Sequence, residues 1–254
     1  VALKPPDGGV RTRLSAWFAR IPGALLAREE RRLVEGLLPR MFGYHIVQIG
    51  STDGEPLYGT SPISHRILAG VGEESVGGMT LHCATDNLPF QAESLDVVIL
   101  PHTLEFSATP HKLLRECERI LIGEGHLIIL GFNPWSLYGL WRLFLAWRGE
   151  PPWNGHFYRH ARIKDWLSLL DLELVGTERC FFRPPLRHPR LLNRLGFVEK
   201  LGGYCWSYFG GVHIMVARKH VAPLTPLRPS WRDRRAVVAS GVAEPSARVN
   251  HEHA

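Results

Sequence analysis

Short apolar runs and helical stripes alternate along most of this chain. Across residues 24–38, Leu25, Leu26, Leu33, Val34, Leu37 and Leu38 are separated by Arg28, Glu29, Glu30, Arg31 and Arg32. That spacing predicts an amphipathic helix ending near Pro39. Residues 44–49 form a short β-branched run stopped by glycine, as expected of a buried strand. Residues 63–69 and 79–83 give second and third strands, joined by a polar, glycine-rich stretch over 70–78, and 95–100 gives a fourth. Thr109 and Pro110 then mark a helix start, with a capping hydroxyl followed by proline at the first helical position. Leu113, Leu114, Cys117, Ile120 and Leu121 follow at helical spacing and make one apolar stripe to lay on a sheet. Gly123 and Gly125 supply a turn before another buried strand at 126–130. Strands alternating with helices predict an open α/β sheet with right-handed parallel crossovers.

After Phe132 the pattern changes. Residues 134–153 carry four of the eight tryptophans, and Trp135, Leu137, Tyr138, Leu140, Trp141, Leu143, Phe144, Leu145 and Trp147 are interrupted mainly by Arg142 and Arg148. A helix that is apolar nearly all round is buried or touches something apolar. A packed cap, a hydrophobic substrate pocket and a membrane-surface contact through Trp135–Trp147 all satisfy that pattern. A short helix at 163–170, a strand at 173–182, a Pro/Arg/Leu-rich excursion over about 184–207 and a last strand at 211–218 complete the reading. The two late strands fit a terminal antiparallel hairpin. Residues 1–22 read as a flexible lead-in, 23–219 as one domain with a cap over about 133–160, and 220–254 as a disordered basic tail.

The 254 residues suit one α/β domain with appendages, and the formal charge of +6 permits an anionic partner. Arg11, Arg13 and Arg20 at one end and Arg228, Arg232, Arg234, Arg235 and Arg248 at the other are dispersed, as in solvated tails. Nucleic acid is therefore not the expected partner. Cys83, Cys117, Cys180 and Cys205 lack metal-ligand spacing, so no metal is expected and the thiols read as buried in a reducing compartment. The first twenty residues lack the apolar core of a signal peptide, and the expected location is cytoplasmic.

In an open α/β sheet a ligand sits at the carboxyl ends of the strands, where strand order reverses. The turn after the first strand is Gly50-Ser51-Thr52-Asp53-Gly54: two glycines for a sharp turn and close approach, with hydroxyls and a carboxylate between them. A dinucleotide fingerprint would need GxGxxG and an acid about 20 residues on, and neither is present. The stretch 86–132 runs polar loop, strand, loop, helix, glycine turn, strand. Its Leu88-Pro89-Phe90, Asp96-Val97-Val98 and Leu104-Glu105 fall in an order that resembles class I S-adenosylmethionine (SAM)-dependent methyltransferases of the type 11 group. Leu130-Gly131-Phe132-Asn133-Pro134-Trp135-Ser136 is similar to the end of the fifth strand in bacterial members.

The resemblance implies a Rossmann-like open sheet, mostly parallel with a terminal antiparallel hairpin and helices on both faces. It also implies SAM as cofactor. Gly50, Ser51, Thr52, Asp53 and Gly54 would meet its methionine end, and Asp86, Asn87 and Leu88 its adenosine end. His102, after the fourth strand, would be a cofactor-side contact or a general base. The sequence departs from the family pattern at Gln48 (usually an acid), at Thr52 (usually glycine) and at Ala84 (usually an acid). No acid ends the second strand, although Glu73 and Glu74 follow soon after. Methyl transfer to a small-molecule acceptor, apolar or aromatic, is the leading expectation. A non-catalytic binding module that has lost SAM chemistry is the alternative.

Overall fold

The apolar runs become one sheet of seven strands among the described residues: β1 (His45–Ile49), β2 (His65–Val71), β3 (Leu81–Cys83), β4 (Leu95–Pro101), β5 (Leu121–Phe132), β6 (Leu172–Cys180) and β7 (Val212–Lys219). Their order is β3-β2-β1-β4-β5-β7-β6. The first five are parallel, and β7 runs antiparallel to both β5 and β6. The expected open, mostly parallel sheet with its antiparallel end is therefore present. This computed structural model describes residues 9–71, 81–185 and 207–221. All belong to the unit Val1–Val221, and the second unit, Ala222–Ala254, lies outside them. The expected basic tail beyond Val221, most of the 184–207 excursion, Glu73, Glu74 and Cys205 also lie outside the described residues.

Because side chains alternate across a strand, the central strands divide two cores between them. Ile46, Val97, Ile99, Ile128, Leu130, Ile214 and Val216 face one core. Val47, Ile49, Val98, Leu100, Leu127, Ile129, Met215 and Ala217 face the other. The second core is closed by α4 (Pro110–Ile120) and α6 (His160–Ser168), through Leu113, Leu114, Cys117, Ile163 and Trp166.

The first core is closed by helices that precede the sheet: α1 (Gly9–Phe18) and α2 (Gly23–Leu37). Here the expected flexible lead-in is corrected from residue 9 onward. Val10, Leu14 and Phe18 recur every four residues, all three are buried, and Trp17 packs edge-on against Phe18, Phe132, Tyr138 and Trp153. These helices compensate for a crossover that has none. The β1–β2 connection carries Gly50, Gly54, Pro56, Gly59 and Pro62, a composition that breaks helices, and it runs as turns. The glycine turn expected at 123–125 lies inside β5 as an irregularity, with Glu124 at φ 66° and a shifted register against β4.

Candidate cofactor and acceptor site

The chain leaves β1 toward β2 on one side and β4 toward β5 on the other, so the switch point lies between the carboxyl ends of β1 and β4. Gly50 and Gly54 take φ of 86° and 87°, the left-handed region in which glycine carries no steric cost. A Cβ on Gly50 would stand 3.0 Å from Thr103 Oγ1 and 3.1 Å from an Arg11 guanidinium nitrogen. The Thr103 hydroxyl, at the start of α3 (Thr103–Phe106), donates to the Ile49 carbonyl at 2.6 Å and so staples the segment after β4 to the end of β1. Arg11 comes from α1 and its guanidinium carbon lies 6.0 Å from the Phe106 ring centre.

Gln48 occupies the place where an acid was expected, and its amide makes a pair of hydrogen bonds that an ionised carboxylate could not. Its Nε2 donates to the Gly50 carbonyl at 3.0 Å, and its Oε1 accepts from the Leu57 N–H at 2.7 Å. The side chain is fully buried. In Gln48→Glu a carboxylate oxygen would face the Gly50 carbonyl with no proton between them. We expect a loss of about 1–3 kcal/mol in urea unfolding, the cost of an unsatisfied buried polar pair. An unchanged midpoint would remove the amide from its role in shaping the turn.

The rest of the turn is less open than the sequence suggested. Ser51 and Thr52 are buried, and the Gly54 N–H donates to Ser51 Oγ at 3.1 Å. The Asp53 carboxylate accepts from Arg31 at 2.7 Å, and the same guanidinium reaches Glu55 and the Pro56 carbonyl. Asp86 and Asn87 are exposed at the end of β3, where Asn87 bridges back to Ala84. Leu88 is buried; its N–H donates to Glu116, and Arg119 of α4 donates to the Leu88 and Phe90 carbonyls. Glycine turn and Asp86–Leu88 loop thus share the carboxyl edge of the sheet, as the sequence implied.

His102 is found elsewhere than on an open rim. It is fully buried, with Nδ1 2.8 Å from Glu105 and Nε2 2.9 Å from Glu30 of α2. Its ring lies against Phe132 (4.3 Å between centres) and Phe18 (5.4 Å). Burial disfavours a charge on the ring, but the carboxylates of Glu30 and Glu105 outweigh it and push the imidazole up to about 10. An imidazolium with both N–H groups engaged has no lone pair to offer. The expected roles of His102 as general base or direct cofactor contact are corrected by this geometry: it is a tie between α2 and β4. Glu105 completes the tie by accepting the Phe132 N–H at the end of β5.

Sequence reading missed Glu30, Arg31 and Arg11 as parts of this rim. One signal for Glu30 was present. It falls on the inward stripe of α2 with Leu26, Ala27 and Val34, and an acid on an apolar stripe calls for a buried partner.

Beyond β5 the chain turns at Asn133–Ser136 and enters a further helix. Ser136 caps α5 (Leu137–Leu145), accepting from the Gly139 N–H. Tyr138 is buried against Phe132 and Trp153, while Trp135, Leu143, Phe144 and Trp147 face outward. Arg142 donates to the Gly155 carbonyl and stacks over Phe157.

Comparison with known proteins agrees with this architecture. The model of the family described as "Methyltransferase domain" matches residues 63–129. Among solved structures, a Haloferax volcanii complex of the Trm112 methyltransferase activator with a methyltransferase superposes with a TM-score of 0.53 at 18% identity. It covers 84% of this chain and 98% of that one. A SAM-dependent methyltransferase from Thermotoga maritima gives 0.53 at 18% identity, covering 77% and 91%. The fold is that of class I methyltransferases, and S-adenosylmethionine is the cofactor that the matched domain implies. The uncharacterised protein YafS of Escherichia coli strain K12 is 34% identical over 224 residues, which span 86% of this chain and 87% of YafS. By that identity over nearly the whole of both proteins, the chain belongs to the same family as YafS.

Proposed function

We propose that this chain transfers a methyl group from SAM to an apolar or aromatic small-molecule acceptor. The observation that carries the reading is the left-handed Gly50–Gly54 turn at the switch point, with a cation beside it and open polar groups across from it. These residues fit the cofactor. Arg11, beside Gly50, would receive the methionine carboxylate. The backbone of Gly50–Gly54 would line the methionine end, and Asp86 and Asn87 would meet the adenosine, with Leu88 beneath. Bound SAM supplies a methyl group already activated by a sulfonium, which departs neutral, so the protein's part is to orient the acceptor and exclude water. Phe106, Phe132, Trp153 and Phe157 are buried with Tyr138 in one apolar cluster beside the ends of β4 and β5, and would form the wall against which such an acceptor rests.

One observation favours a second reading, a binding module without SAM chemistry: the Gln48, Asp53 and His102 side chains are all engaged by partners within the chain. Calorimetric titration with SAM and with S-adenosylhomocysteine separates the two readings. We expect binding in the micromolar range, lost in Gly54→Arg, whose backbone would have to hold a left-handed φ that a non-glycine residue adopts only under strain. The absence of both heat and thermal stabilisation at millimolar ligand would sink the transferase reading and favour the module.

A further inference from the structure

We infer that the outer face of the α5 cap is a docking surface for a membrane bearing anionic lipid headgroups. Trp135, Leu137, Leu140, Leu143, Phe182 and Phe209 line an open groove of about 620 Å³. Phe144 and Trp147 extend the apolar surface along the helix, being 67% and 78% exposed. Soluble domains rarely leave so many large apolar side chains together in water. Among the described residues that line the groove Ser136 is the single polar one, and its hydroxyl is already held by the Asn133 carbonyl and the Gly139 N–H. A polar ligand would find no partner there, whereas a hydrocarbon chain needs none.

Charge around the patch selects the kind of surface. Residues 133–149 contain no acid. Three exposed rings each carry a guanidinium: Arg159 over Trp135 at 5.0 Å, Arg148 over Trp147 at 5.4 Å, and Arg179 over Tyr208 at 4.7 Å. Aromatic rings that sink to headgroup depth, edged by arginines at phosphate level, match an anionic lipid surface. An isologous pairing of two copies would instead bring these arginine rims face to face, and like charges in contact oppose it. None of the helices among the described residues is long and apolar enough to cross a membrane, so the contact is peripheral.

The test is co-sedimentation of the full chain with vesicles of phosphatidylcholine alone and of phosphatidylcholine mixed equally with phosphatidylglycerol. We expect binding to the mixed vesicles that weakens as salt is raised. In Phe144→Ala/Trp147→Ala the partition should fall about tenfold or more, since two exposed rings lose their burial in lipid. Arg148→Glu/Arg159→Glu should lose the preference for the anionic vesicles. All four positions are exposed or outward-facing, so thermal unfolding of these variants should match the parent chain. Absence of binding overturns the inference. So does binding equal in parent and variants, which would assign it to the arginines beyond Val221. Sedimentation velocity showing self-association that the same substitutions abolish would give the face to a second copy. No cofactor enters the measurement, so its failure leaves the proposed methyl transfer untouched, and the reverse holds as well.

Discussion

The titration of His102 and His213 is expected to take up to about 5 kcal/mol from the unfolding free energy on each side of pH 6.5, toward pH 10 and toward pH 3. Two buried histidines set opposite arms of this profile. His102 is pushed from 6.5 to about 10: burial opposes its charge, and Glu30 and Glu105 overcome that opposition. The native state therefore keeps a proton that the unfolded chain releases above pH 6.5. Its stabilisation is complete below 6.5 and is lost as pH climbs through about 10. His213 on β7 behaves in the opposite sense. Burial pushes it down to about 3, assisted by the positive potentials of His160, His102 and Arg179, and its Nε2 has no hydrogen-bond partner among the described residues. The unfolded chain takes up a proton there below pH 6.5 that the native state refuses. That stabilisation is complete above 6.5 and is lost as pH falls toward about 3. Urea unfolding across this range should show both arms. His102→Gln should flatten the alkaline arm and His213→Gln the acid arm. A parent profile that is flat, or one that survives both substitutions, would remove the two rings as its source.

Glu105→Ala should cost about 3–5 kcal/mol, the range for breaking a buried ion pair and leaving its partner charged. The carboxylate joins three elements at once: the His102 ring after β4, the Phe132 N–H at the end of β5, and through His102 the Glu30 carboxylate of α2. Alanine leaves the imidazolium with one carboxylate instead of two and orphans the Phe132 N–H. Glu105→Gln keeps an acceptor for that N–H but removes the charge, so it should fall between the parent and alanine. Denaturation midpoints of the three proteins at pH 7 decide the matter. Alanine within about 1 kcal/mol of the parent would mean that the strand ends are held by packing alone.

The alternating runs that became β1, β2, β4, β5 and β7, and the stripe of α4, were legible because each element buries a face set by its own period. The antiparallel end was legible for a related reason, since two late strands separated by an excursion have one economical way to join a sheet. α1 was not. Its apolar inward residues are only Val10, Leu14, Trp17 and Phe18, and Pro5, Pro6, Gly8, Gly9 and several arginines around them read as solvated chain. Only the aromatic layer of Phe132, Tyr138 and Trp153, more than a hundred residues away in sequence, makes that short stripe worth burying. The candidate site divides along the same line. The Gly50–Gly54 turn and the Asp86–Leu88 loop announce themselves locally through glycines and a short motif. Arg31 with Asp53, and Glu30 with His102, are long-range pairs with no periodicity to betray them. Gln48 was legible as a departure from the family pattern; its reason, a donor required by the Gly50 carbonyl, becomes visible only with the turn in place.

The clasp made by Glu30 and Arg31 also dictates an order of assembly during synthesis. Both residues leave the ribosome before the partners they hold: Asp53 follows Arg31 by 22 residues, and His102 follows Glu30 by 72. Until the loop after β4 has emerged, α2 carries a solvated carboxylate on the face it must bury, and a helix in that state docks poorly. Helices made before the sheet are thus sealed among the last, after the central strands they cover have met. Nascent chains arrested just before His102 should leave the N-terminal helices open to protease, and chains extended past β5 should protect them.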